Sequence, residues 1–139
     1  MGGEFQLLEH PSDIGILARG TSREEALIEV SKGMTSIMTD PARIRSAEER
    51  VFHVTGSDDA SQVINWLNEI LFYFDSEGLI FADFAVDAWT SQAIDGRAKG
   101  EHVEAARHEL RTAVKAATYH QFELKETANG WELRVFLDI

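Results

Sequence analysis

Apolar positions change their spacing several times along the chain, and each change marks an element. Phe5 to Glu9 and Ile14 to Arg19 read as two short extended segments around a His-Pro-Ser-Asp turn, with Gly20 as punctuation. In "TSREEALIEVSKGMTSIMTDP", Leu27, Val30, Met34, Ile37 and Met38 fall at helical spacing. Thr21 and Ser22 each have a glutamate three residues on, a doubled capping-box signal, and Pro41 ends the element. "RIRSAEERVFHVTG" is extended at both ends and allows two strands or one bent strand. A second helix opens at Ser57 or Asp58 and stops at Gly78, whose missing side chain suits a left-handed terminator. Its apolar row Val63, Leu67, Ile70 and Phe74 is widened by Ile64 and Leu71 and extended by Trp66, Phe72 and Tyr73, which predicts a helix at the centre of the fold.

The second half changes to a period of two. Strands are expected over Leu79 to Val86, Ala88 to Ala98, Ala113 to Lys125 and Trp131 to Ile139, with a polar loop between Lys99 and Leu110. Asn129-Gly130 signals a hairpin because both residues tolerate positive φ. In "WELRVFLDI" the residues Trp131, Leu133, Val135, Leu137 and Ile139 alternate with Glu132, Arg134, Phe136 and Asp138, so Asp138 points to the more polar face. The expected fold class is α+β: a single compact domain over residues 1–139, with two principal amphipathic helices against a mainly antiparallel sheet.

Composition narrows the function classes. A length of 139 residues with 44% hydrophobic and 27% charged residues is ordinary for one globular domain. The chain has no cysteine, which removes disulfides, thiol catalysis and cysteine-based zinc sites, so any metal must use oxygen or imidazole ligands. No apolar run approaches membrane-spanning length and the first residues lack a signal-peptide core, so a cytoplasmic protein is expected. Against 13 basic residues stand 24 acidic ones; the formal net charge of -11 opposes phosphate backbones, and direct nucleic-acid binding is not expected.

Few residues carry candidate chemistry. Asp13, beside His10 and just before a strand, is either a turn cap or a ligand. Asp138 lies one residue from Ile139, so its side chain and the terminal carboxylate put two anionic groups in one place. If the sheet brought Asp13 beside them, three like charges would meet, and a hard cation such as calcium or magnesium would relieve the repulsion. Asp75 and Glu77 occupy the last turn of the second helix, where the macrodipole disfavours negative charge; function or plain solvent exposure accounts for either. By position His120 reads as a hydrogen-bonded core histidine before it reads as a ligand, and Lys115 as a surface lysine. His53, His102 and His108 lack ligand spacing, and no nucleophile elbow, phosphate loop or redox motif is present.

Taken together, "EHPSDIGILARG", "WLNEILFYFDSEGLIFADF", "KAATYHQF" and "VFLDI" resemble the archease family, in order and across nearly the whole chain. The resemblance implies a small protein that activates the GTP-dependent tRNA-splicing RNA ligase by promoting guanylylation and repeated turnover, rather than an enzyme. It also admits a chaperone or modulator of a tRNA-modifying methyltransferase. By motif, Asp13 matches the family's metal-binding aspartate, Asp138 and the Ile139 carboxylate match its terminal metal site, and Asp75 and Glu77 match the "FDSEG" segment. One departure stands out: Ala113 precedes "VKA" where family members often carry glutamate, which leaves Glu109 or Glu104 as substitutes. A metal-dependent hydrolase built on Asp13 and Asp138 is the contrasting reading from another class, though the sequence offers no clear general base or substrate pocket for it.

Overall fold

The computed structural model describes residues 2–9 and 12–139; His10 lies outside the described residues. Its elements run β1 (Glu4–Glu9), β2 (Asp13–Gly20), α1 (Arg23–Met38), a 3-10 turn (Pro41–Arg43), β3 (Glu48–Thr55), α2 (Asp59–Glu77), β4 (Leu79–Trp89), β5 (Ala93–His102), β6 (Ala116–Thr127) and β7 (Gly130–Asp138). The strands form two antiparallel sheets, a four-stranded one in the order β1-β2-β7-β6 and a three-stranded one in the order β3-β5-β4. The α+β class and both helices stand as expected, with the sheet divided in two.

Both helices begin where capping chemistry dictates. Ser22 accepts from the Glu25 N–H, while the Glu25 carboxylate reaches past it to the Thr21 N–H at 2.6 Å, so the two overlapping capping signals share one glutamate. Asp58 caps α2 by accepting from Ser61 N–H, and the helix ends in left-handed Gly78 at φ 69°. The core lies between the helices and the inner faces of the two sheets, with Ile16, Leu27, Met34, Phe52, Trp66, Leu67, Leu133 and Leu137 fully or almost fully buried. Its few polar groups are paired: Trp66 donates to the Ser31 hydroxyl at 3.0 Å, and fully buried Gln62 accepts from Trp89 while its amide reaches the carbonyls of Gly56 and Thr90.

Several boundaries move. The break expected at Asp87 falls at 90–92, because register shifts at Phe81/Asp83 and Val86/Ala88 carry β4 on to Trp89, a buried residue held by Gln62. There the Thr90 hydroxyl accepts from the N–H groups of Gln92 and Ala93 and closes the turn. β5 extends past Ala98 to His102, β6 begins at Ala116 rather than Ala113, and the segment from Arg43 to Gly56 supplies one strand. In the last hairpin the two loop residues are Ala128 and Asn129, and Gly130 opens β7 at φ 135°.

Candidate functional site

Alternation on β2 sends Ile16 and Ala18 into the core and leaves Asp13, Gly15, Leu17 and Arg19 on the outer face. On β7 it buries Leu133, Val135 and Leu137, so Glu132, Arg134, Phe136 and Asp138 face outward. The antiparallel register then sets Asp13 directly opposite Asp138. Cross-strand partners have β-carbons about 5 Å apart, close enough for the two carboxylates to feel each other strongly. Ala116 of β6 flanks Asp138 on its other side, and the Lys115 N–H donates to the Asp138 carbonyl at 2.8 Å.

Along this face the charges change character. At the far end Arg19 pairs with Glu132 at 3.1 Å and Glu4 at 3.6 Å, and Lys125 lies 3.5 Å from Glu123 and 3.9 Å from Glu132. Asp13 and Asp138, by contrast, make no side-chain hydrogen bond or ion pair with any described residue. Between the two zones lies an apolar row: Gly15 pairs with Leu8 on one side and Phe136 on the other. Phe136 is 2% exposed although it lies on the outer face. A β-carbon at Gly15 would stand 2.8 Å from its ring, so only glycine lets the ring lie over β2.

The other side of Phe136 is covered by an irregularity in β6. Thr118 pairs with Phe136 and Glu123 with Arg134, so residues 119–122 bulge opposite Val135 alone. Gln121 adopts φ 51°, Arg134 donates to its carbonyl at 3.0 Å, and the His120 ring stands 5.7 Å from that of Phe136. This corrects the core placement of His120: the bulge breaks the alternation and leaves the imidazole exposed, edge-on to Phe136.

Lys115 touches the pair through its backbone N–H, and the remaining candidates sit apart in their contacts. Glu77 pairs with Arg50 of β3 at 2.9 Å, which offsets the charge at the helix end and holds the Arg50 guanidinium above its ordinary range. Asp75 and Lys115 are exposed. Glu104 is engaged by Arg107 at 2.6 Å, Ala113 is exposed, and the Glu109 carbonyl accepts from Thr39. Among the described residues no three His, Asp or Glu side chains are grouped so as to hold a metal ion. The Asp13–Asp138 pair offers two hard oxygen donors that make no ion pair with a described residue, a donor chemistry that suits calcium or magnesium and disfavours softer ions.

Sequence reasoning passed over a second charged cluster, at the end of β5 and in the polar segment that follows it. Glu101, 6% exposed, receives two bonds from the Arg107 guanidinium, one from the Arg45 N–H and one from buried His108. The Glu104 N–H donates to His108 Nδ1, which assigns the imidazole hydrogen to Nε2. The Arg107 guanidinium, foremost, holds the Glu101 carboxyl down at about 2. The one available signal was a glutamate beside a glycine at the end of an alternating strand.

Comparison with known proteins places the chain in a family. The model of the archease protein family (MTH1598/TM1083) matches residues 5–139. The protein archease of Sulfurisphaera tokodaii is 33% identical over 137 residues, covering 98% of this chain and 99% of the relative. That of Saccharolobus islandicus is 36% identical over 137 residues, covering 97% and 98%. The solution structure of Methanobacterium thermoautotrophicum protein 1598 superposes with a TM-score of 0.80 at 32% identity, over 97% of this chain and 98% of that one. On a match that spans almost the whole of both partners, the chain belongs to the archease family.

Proposed function

We propose that this chain is a protein cofactor that activates a GTP-dependent tRNA-splicing RNA ligase, promoting guanylylation and repeated turnover through an acidic metal site. The observation that carries the reading is the register of Asp13 against Asp138, two carboxylates facing each other with no cationic partner among the described residues. Asp13, Asp138 and the carboxylate of Ile139 would hold a divalent cation, calcium or magnesium, which supplies positive charge for phosphate oxygens when bound. The chain's own contribution is positional. β2 and β7 are central strands of their sheet; Asp138 is paired with Asp13 on one side and with Ala116 on the other, and the Lys115 N–H fixes the last carbonyl of β7.

The net charge of -11 supports docking on an enzyme over capture of RNA by this chain alone. The test uses purified ligase, GTP and a divalent metal, with wild type, Asp13→Ala and Asp138→Ala in parallel. Faster ligase guanylylation with wild type and its loss in both variants is the expected outcome. An unchanged rate with wild type sinks the reading, and hydrolysis of nucleotide by the isolated chain, lost in Asp13→Ala, replaces it with an enzyme.

A further inference from the structure

Two aromatic rings on the elements that adjoin the aspartates' ladder are exposed, Tyr119 of β6 and Phe72 of α2, the latter edge-on to its neighbour Tyr73 at 5.8 Å. Tyr119 follows buried Ala117 by two residues and belongs by alternation to the inner face, yet the β6 bulge leaves it 57% exposed. The bulge holds Gln121 at φ 51°, a conformation that costs a non-glycine residue about 1 kcal/mol or more. On α2, Phe72 is 56% exposed. The two elements are joined next to the site, where the Ala117 N–H donates to the Asn68 side chain at 2.9 Å and Ala116 pairs with Asp138. Phe72 lies one helical turn from Asn68 and Tyr119 two residues from Ala117, each within about 7 Å along its own backbone.

The surroundings are acidic. Glu69 and Asp75 flank Phe72 at three residues on either side, on the same helix face, and Asp13 and Asp138 lie across the ladder. None of these four carboxylates is ion-paired to a described residue, while on the sheet's far end charges pair freely. Lys115 and Arg134 are the cations on the ladder side, and Arg50, at the end of α2, is already engaged by Glu77 and Glu48. A second copy of the chain would set this acidic surface against its like, an arrangement that repels. A basic partner face both neutralises the carboxylates and accepts the rings.

We propose that Phe72 and Tyr119 are the apolar anchors of a docking surface for a protein face whose apolar pockets are rimmed by lysine and arginine. The proposal rests on the functional reading above, in which that face belongs to the ligase. Exposed aromatic anchors centred on a charged rim are the usual form of an interface hot spot.

The test measures affinity of the full chain for purified ligase by calorimetry at low and high salt. Wild-type binding weakens as salt rises, and Phe72→Ala and Tyr119→Ala each weaken it about tenfold or more with unchanged melting temperature. Val51→Ala, at a residue 71% exposed on the other sheet, leaves affinity unaltered. Wild-type affinity in both aromatic variants overturns the anchors while leaving the functional reading intact. Failure of the wild type itself to bind ligase overturns both. Sedimentation of the chain alone supplies the last arm: a dimer abolished by Phe72→Ala hands the surface to a second copy and overturns the proposal.

Discussion

Gly15 lies under the ring of Phe136 across the β2–β7 ladder, so close that a β-carbon would stand 2.8 Å from it. The contact is one pleat repeat from Asp13 and Asp138 and locks the same register. Gly15→Ala forces the ring into the His120 bulge, and overpacking of this kind costs about 1–3 kcal/mol. The urea midpoint should fall accordingly with an unchanged slope, whereas Gly2→Ala, with open space around it, should stay within about 0.5 kcal/mol of wild type. Equal midpoints for the two variants would show that the ring is free to move.

Facing carboxylates predict opposite effects with and without metal. In chelator, Asp13→Asn removes one of two like charges set directly opposite, and stability should rise by about 0.2–1 kcal/mol. With calcium at a hundredfold excess over its dissociation constant, wild type gains about 2.7 kcal/mol and Asp13→Asn little. Thermal melts in chelator and in calcium read both signs. A variant less stable than wild type in chelator would mean that Asp13 caps its turn instead of opposing Asp138.

Elements with strong local signals were legible in the sequence: both helices, their caps, the strand alternation of β7 and the polar aspect of Asp138. From the residues alone the opposition of Asp13 and Asp138 was legible only as a condition, which the family resemblance turned into an expectation, since register between strands more than a hundred residues apart is set by packing that no short window contains. The β4–β5 boundary slipped because two bulges extend β4 and because Trp89 is fixed by Gln62, a buried polar residue that periodicity counts as surface. His120 was misplaced for a related reason: the bulge at 119–122 destroys the period of two on which its placement relied. One pattern did point to Phe136, the single apolar residue among Glu132, Arg134 and Asp138 on the polar face.

Glu101 makes stability depend on pH in a defined window. Its carboxyl titrates at about 2 in the fold against an ordinary 4.5, lowered first by the bidentate Arg107 and then by the Arg45 N–H and His108. A depressed folded value means that the unfolded chain binds the proton more readily, so the contribution is complete above 4.5 and lost as pH falls from 4.5 toward about 2. Glu101→Gln should lower the melting temperature at neutral pH and flatten its fall across that interval. Melting curves of both proteins from pH 2 to pH 7, on the order of one unit apart, decide this. Parallel acid limbs would assign the acid sensitivity to other carboxylates.

Gln121 separates what the bulge costs from what it does. As a non-glycine residue at φ 51°, it holds its backbone at a cost of about 1 kcal/mol, while its side chain hydrogen-bonds, among the described residues, only the exposed His120 ring at 3.2 Å. Its carbonyl, which any residue would supply, is the group that accepts from Arg134. Gln121→Gly therefore relieves strain but frees the unfolded chain, and the two effects nearly offset, leaving stability within about 1 kcal/mol of wild type. Gln121→Val keeps the strain and adds a branched β-carbon, so it should lose more than about 1 kcal/mol and drive the bulge toward regular pairing. Amide hydrogen exchange at 119–122 distinguishes the two, with protection rising in Gln121→Val and unchanged in Gln121→Gly. A bulge that persists, equally open to exchange and equally stable, in both variants would show that φ at 121 is a consequence of the packing around Phe136 and not its cause.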